Sequence, residues 1–294
     1  MPGNLKEVRN RIKSVMNTQQ ITKAMKMVSA AKLRRAQERI LQMRPYSQKL
    51  QEMLSNIVSS GDVNISLAEE REVKNVLIVL ITSDRGLAGA FNMNSVKLAR
   101  KHIAERYPNQ ASAKNITVLP LGKKGFDAIR KFVTKIDDRS INIFATPTFD
   151  AVSAVSQFLM DEYKSGRYDA IDLVYSQFKN AATQIFTVEQ FLPVPQTANA
   201  NASTKAKADF IFEPNKEEIL EYLVPKILNT QLFKAVLDSN ASEHGARMTA
   251  MDKASDNANE LLKDLRIQYN RQRQAAITTE LTEIVSGANA LAGV

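Results

Sequence analysis

The sequence predicts an α/β protein whose central domain is held between two long terminal helices paired as an antiparallel coiled coil. Three observations predict it. Both ends are long and nearly free of helix breakers: no glycine lies between Gly3 and Gly61, and after Pro225 only Gly245, Gly287 and Gly293 remain. The middle holds almost all the other glycine and proline, and there β-branched runs alternate with helical ones. The C-terminal end also carries a seven-residue repeat.

The domains read as an N-terminal helix over 1–60, an α/β domain over 61–214 and a C-terminal helix over 215–294. In the first helix, Asn4 and Glu7 form a capping box. Leu5, Val8, Ile12 and Val15 begin a heptad face. The tract Asn17-Thr18-Gln19-Gln20 interrupts it, and Ile21, Met25, Val28 and Ala31 resume it in a shifted phase. Pro45 bends the helix or removes one hydrogen bond.

The middle reads as strand Val73–Thr82, helix Met93–Tyr107, strand Asn115–Pro120, helix Lys123–Val133 and a short strand Ile141–Ala145. Helix Phe149–Ser165 and strand Ala170–Ser176 follow, then Ile185–Leu192 and Phe210–Phe212 as an edge hairpin. This alternation specifies a mostly parallel, Rossmann-like sheet flanked by helices. The polar tract Pro193–Lys207 is an exposed loop, and Asn215 with Glu218 caps the return into the last helix.

A breaker-free helix from Lys226 to Leu291 is about 100 Å long at 1.5 Å per residue. No single core covers that length, so it needs a partner helix. One seam runs Met251, Ala258, Leu265, Gln272, Thr279, with Ala254, Leu261, Gln268, Ala275 and Thr282 interleaved. The seam turns polar toward the C-terminus, so the coil is thin there. The residues facing away are Asp256, Lys263 and Asn270, then Ile277, Ile284 and Leu291. Apolar residues thus point outward where the seam weakens, as they would if other protein surrounded the tip.

The net charge of +9 sits in the first 50 residues, which hold twelve Lys and Arg against Glu7 and Glu38. A solvated helix face normally mixes both signs, so this one serves an acidic partner. Nucleic acid is the alternative partner, yet residues 1–45 contain no aromatic side chain for base stacking. No cysteine is present, which excludes disulfides and thiolate chemistry. His102 and His244 stand alone in sequence and read as surface or core histidines rather than zinc ligands. The loop Ser83–Ala90 follows the first strand, where α/β sheets place phosphate-binding glycines, but it matches neither GxGxxG nor a P-loop. Gly122–Gly125 fails both templates as well. Asp84, Asp137, Asp138, Asp161 and Glu162 are scattered with no nucleophile–base pair, so a catalytic role and a bound cofactor are not expected.

Four stretches carry a family resemblance: Ile21–Gln37 (ITKAMKMVSAAKLRRAQ), Ile81–Asn92 (ITSDRGLAGAFN), Ser242–Leu262 (SEHGARMTAMDKASDNANELL) and Arg273–Ala288 (RQAAITTELTEIVSGA). They resemble the gamma subunit of F-type ATP synthases. The resemblance implies a rotor in the central stalk, its two helices inserted into a ring of three alpha and three beta subunits. The α/β domain would sit with the epsilon subunit against the membrane c-ring, and catalysis would occur in the ring. By motif position, Met25 and Lys26 face an acidic loop of beta, while Arg247, Gln274, Thr278 and Glu280 meet its catch loop. Ile277, Ile284 and Leu291 would bear on the inner wall of the ring. The resemblance, with no transit peptide in view, implies a bacterial member, peripheral on the cytoplasmic face of the inner membrane.

Overall fold

The computed structural model of the chain describes residues 2–58, 67–145, 147–194, 216–291 and 293. The expected strand Phe210–Phe212, the cap at Asn215 and the tract after Val194 lie outside them, as does the Asn4 side chain of the expected capping box. The chain divides into two compact units that cut across the long helices: residues 1–29 with 248–294, and residues 30–247.

The second unit is built on a five-stranded sheet in the order β3-β2-β1-β4-β5. Its strands are β1 (Val76–Ile81), β2 (Ile116–Leu121), β3 (Lys135–Ile136), β4 (Ala170–Phe178) and β5 (Gln184–Leu192). The first four run parallel, and β5 returns antiparallel to β4 along the edge. The period-two alternation of β1 divides its side chains between two cores. Leu77, Val79 and Ile81 pack with α5 (Phe149–Lys164) and the start of α6 (Lys216–Leu291). Val76, Ile78 and Leu80 pack beneath α2 (Phe91–Arg106) and α4 (Lys123–Ile129). Both faces of the sheet are covered, which is why VLIVLI is uniformly buried.

Two local expectations are corrected here. Residues Ile143–Ala145 form a 3-10 turn, not a strand, and the parallel edge is the two-residue β3. A single-turn helix, α3 (Pro108–Ser112), lies between α2 and β2. The last helix runs from Lys216 straight through Pro225. Buried Leu220, Leu223 and Val224 anchor that first stretch to the core, and this packing outweighs the hydrogen bond lost at proline.

The first unit pairs α1 (Pro2–Val58) with α6 in antiparallel fashion, seen in its cross-helix bonds. Gln19 bonds Asn259, Thr22 Oγ1 lies 2.8 Å from Ser255 Oγ, and Lys26 Nζ lies 2.5 Å from Asp252 Oδ1. Each step forward on one helix is a step back on the other. On α6, Met251, Ala258 and Leu265 are buried and Gln272 is half-buried, as the first repeat predicts, although Thr279 is exposed. The interleaved series is one residue later than expected: Ser255, Leu262, Tyr269 and Ala276 turn inward. Leu262 is 6% exposed and Leu261 39%. Two adjacent leucines fit either phase, and the partner helix selects between them.

On α1 no phase shift occurs. The inward face runs through Leu5, Val8, Ile12, Val15, Gln19, Thr22, Lys26 and Ser29 at unbroken three-four spacing. Ile21, Val28 and Ala31, expected at the seam, are exposed, and Met25 is half-buried. Hydrogen-bonding side chains facing their counterparts on α6 satisfy each other, so the polar tract continues the heptad.

Candidate partner-contact site

In the first unit, α6 outruns its partner. Carried back along both helices, the pairing of Gln19 with Asn259 brings Pro2, where α1 begins, level with Ala276. Ala276 is the last half-buried residue of α6, and every described residue from Ile277 to Leu291 is exposed. Ile277, Leu281, Ile284 and Leu291 recur at helical spacing and form an apolar stripe along this lone segment. Thr278 and Glu280 are exposed on this segment, and Gln274 is exposed just before it. The hydroxyls of Thr278, Thr279 and Thr282 donate to carbonyls four residues back, so these side chains are turned onto their own helix. Exposed Ile21 and Val28, one side of half-buried Met25, give α1 a second apolar strip beside its basic residues. Lys26 is half-exposed and paired with Asp252.

Arg247 differs from the rest of the expected set, because it is buried in the second unit. Its Nη2 donates to the carbonyls of Arg85 at 2.9 Å and Gly86 at 3.2 Å, its Nε to Gly86, and its Nη1 to Glu243 one turn earlier. This leaves one Nη1 N–H of its five outside these bonds. Burial raises the Glu243 carboxyl above the usual range, opposed by Arg247. Burial, then Arg247 and Lys32, lower His244 to about 4, which keeps it neutral.

The surrounding geometry explains what the glycine loops do. The chain leaves β1 toward β2 on one side and reaches β4 on the other, so the carboxyl ends of β1 and β4 are a topological switch point, where open α/β sheets take ligands. Here α6 is held at those strand ends. Ser176 N donates to Ser239 Oγ at 3.0 Å and Ser242 Oγ donates back to Ser176 O at 3.2 Å. Gly245 passes so close that an added Cβ would lie 3.0 Å from Ala181 O. The loop Ser83–Ala90 is likewise tied within the fold, with Ser83 N on Asn92 Oδ1 and Lys123 N on Asp84 Oδ1. Gly122 and Gly125 serve packing, since a Cβ on either would come within 2.8 Å of Thr82.

Two further polar groups lie in the second unit. His102 Nε2 is 2.6 Å from Asp172 Oδ2, which also accepts from Tyr107 at 2.8 Å, so this histidine belongs to a buried network. Asp238 lines a cavity of about 320 Å³ with Ile40, Met43, Arg44 and Lys234, and burial raises it to about 6. The sequence held no signal for either, because their members come from elements far apart in the chain: α2 and β4 for the first, α1 and α6 for the second.

Comparison with known proteins decides the family. A family model described as ATP synthase matches residues 4–291. The ATP synthase gamma chain of Cytophaga hutchinsonii is 54% identical over 99% of both chains. The chain belongs to the ATP synthase gamma chain family. The gamma chain of Chlorobium phaeobacteroides is 45% identical, again over 99% of both chains. Among solved structures, the central stalk and c-ring of the Tetrahymena thermophila mitochondrial ATP synthase matches at 26% identity with a TM-score of 0.55. That match covers 80% of this chain and 99% of the other. A Euglena gracilis mitochondrial ATP synthase structure matches in fold, with a TM-score of 0.69 over 99% of this chain and 95% of the other at 21% identity. Among the described residues, no helix of this gamma-family chain is long and apolar enough to cross a membrane.

Proposed function

We propose that the chain is the central-stalk rotor of a rotary F-type ATP synthase, coupling ion flow through the membrane ring to ATP synthesis or hydrolysis in the alpha/beta ring. It is itself non-catalytic. The observation that carries this reading is the tip of α6, fifteen residues from Ile277 to Leu291 standing free of α1 with an apolar stripe exposed. Such a stripe needs a surrounding protein surface, and one that slides must be apolar rather than built of ion pairs. A collar formed by the alpha and beta subunits meets that need, with Ile277, Ile284 and Leu291 as the bearing.

Met25 and Lys26 on α1 meet an acidic loop of beta, while Gln274, Thr278 and Glu280 on α6 meet its catch loop. Arg247 offers that surface its one remaining Nη1 N–H. The α/β domain engages the epsilon subunit and the c-ring. The assembly is peripheral to the membrane, on the cytoplasmic face of a bacterial inner membrane. Affinity purification of a tagged chain from membranes tests the reading. Alpha, beta and epsilon subunits and the c-ring are expected to accompany it; recovery of the chain alone, or with nucleic acid, would overturn it.

A further inference from the structure

The loop between β1 and α2 has an unusual backbone. Leu87 sits at φ 64° and Gly89 at φ 58°, so two residues in three adopt the left-handed region, one of them a leucine. A side chain there is strained and persists only where its surroundings fix it. Leu87 is also 64% exposed, so no packing of its own holds it. What holds the loop on its N-terminal side is Arg247, whose fork grips two consecutive carbonyls, those of Arg85 and Gly86. Glu243 fixes the fork from the same face of α6, and both partners of this pair are buried. The grip is the last of three attachments along one stretch of α6, after Ser239 with Ser242 on β4 and Gly245 against Ala181.

We propose that Arg247, oriented by Glu243, is a latch that binds α6 to the end of β1 and holds the Arg85–Gly89 loop in its strained form. Arg247 is a positioning residue inside the rotor. A twist of α6 about its axis moves the guanidinium and so pulls directly on the loop backbone. Load on the helix passes into the sheet through this fork instead of slipping past it. Lysine cannot replace arginine here, because a single ammonium cannot span two consecutive carbonyls while also meeting Glu243 in a fixed plane. The mechanical part of this inference rests on the rotor reading above; the structural part does not.

The test begins with the isolated full chain, where no ring subunit is present. Amide exchange of Ser83, Phe91, Lys123 and Lys124, whose N–H groups tie the loop down, is compared in the native chain, Arg247→Lys, Arg247→Gln and Glu243→Gln, with the β1 and β2 amides as internal reference. The latch predicts about tenfold faster exchange in the loop for both Arg247 variants, a smaller rise for Glu243→Gln, and unchanged β1 and β2 amides. Unchanged loop exchange, or an equal rise in loop and strands, overturns it. In the reconstituted complex, the Glu243→Gln rotor, which leaves the Arg247 side chain in place for any partner, is then expected to pump fewer protons per ATP hydrolysed. If loop exchange rises but pumping per ATP is unchanged, the load-bearing part falls. A native chain that never assembles with the ring would sink the rotor reading and leave the exchange result standing.

Discussion

Truncating Ile284 separates a bearing from a seam. The side chain is 67% exposed in the chain alone, so only about a third of its surface is shielded. Full burial of an isoleucine contributes about 1.5–3 kcal/mol, so Ile284→Ala removes roughly 0.5–1 kcal/mol from the isolated chain. Alanine returns about 0.4 kcal/mol in helix propensity, and the net change is a few tenths. Urea melts of the isolated chain are therefore expected to coincide for the two proteins. On the rotor reading proposed above, the same side chain lies against the collar in the assembled complex. There Ile284→Asp, which places a charge on an apolar wall, should impair assembly or rotation far more than Ile284→Ala. Native gels of reconstituted complexes and ATP-driven proton pumping read this out. A loss of 2–5 kcal/mol in the isolated alanine variant would show a core truncation and refute the reasoning.

Leu262→Ala should destabilise the isolated chain by about 2–4 kcal/mol and Leu261→Ala by less than about 1 kcal/mol, measured by denaturant melts; the opposite order would restore the earlier seam phase. Exchanging the charges of Lys26 and Asp252 together should recover most of whatever either reversal loses, with a coupling of no more than about 0.5 kcal/mol because both side chains are more than a third exposed. Two buried groups oppose each other in acid. Asp238, raised to about 6, contributes stability that is present below its unfolded value of 3.8 and lost as pH rises through 6. His244, lowered to about 4, contributes stability that is present above 6.5 and lost as pH falls through 4. Each is worth on the order of 3 kcal/mol across its window. Asp238→Asn should thus stabilise at pH 8 but not at pH 4, and His244→Gln should stabilise at pH 4.5 but not at pH 8, in melts at fixed ionic strength. Gly245→Val should push α6 from Ala181 and lower the melting temperature, whereas Gly287→Val should not, since nothing lies within 4 Å of a Cβ there.

Much of the α/β domain was legible because its signals are local. The run Val76–Ile81 is apolar at every position since both its faces are covered, and Thr148 caps α5 through Ala151 N. What failed was short or relative. β3 is two residues long and is set by its pairing with Thr117 and Val118 and by Ile136 against the core. The inward face of α1 is not legible in the sequence because Ile21 and Val28 are more apolar than Gln19, Thr22 and Lys26, which find their partners on a helix more than two hundred residues away. Arg247 was picked out by motif, but its bond to Gly86 spans 161 residues and no spacing rule reports it.

The three polar rungs of the coil bear on how it deforms. A layer of interlocked leucines resists being rotated apart because every dispersion contact is lost at once and nothing replaces it. A rung such as Thr22 with Ser255 can trade its partner for water, at a net loss of about 1 kcal/mol or less. Lys26 and Asp252 are already half in solvent. The stretch from Gln19 to Lys26 against Asp252 to Asn259 is therefore the torsionally soft part of the paired coil, a spring placed between apolar layers that begin at Val15 on α1 and at Met251 and Leu262 on α6.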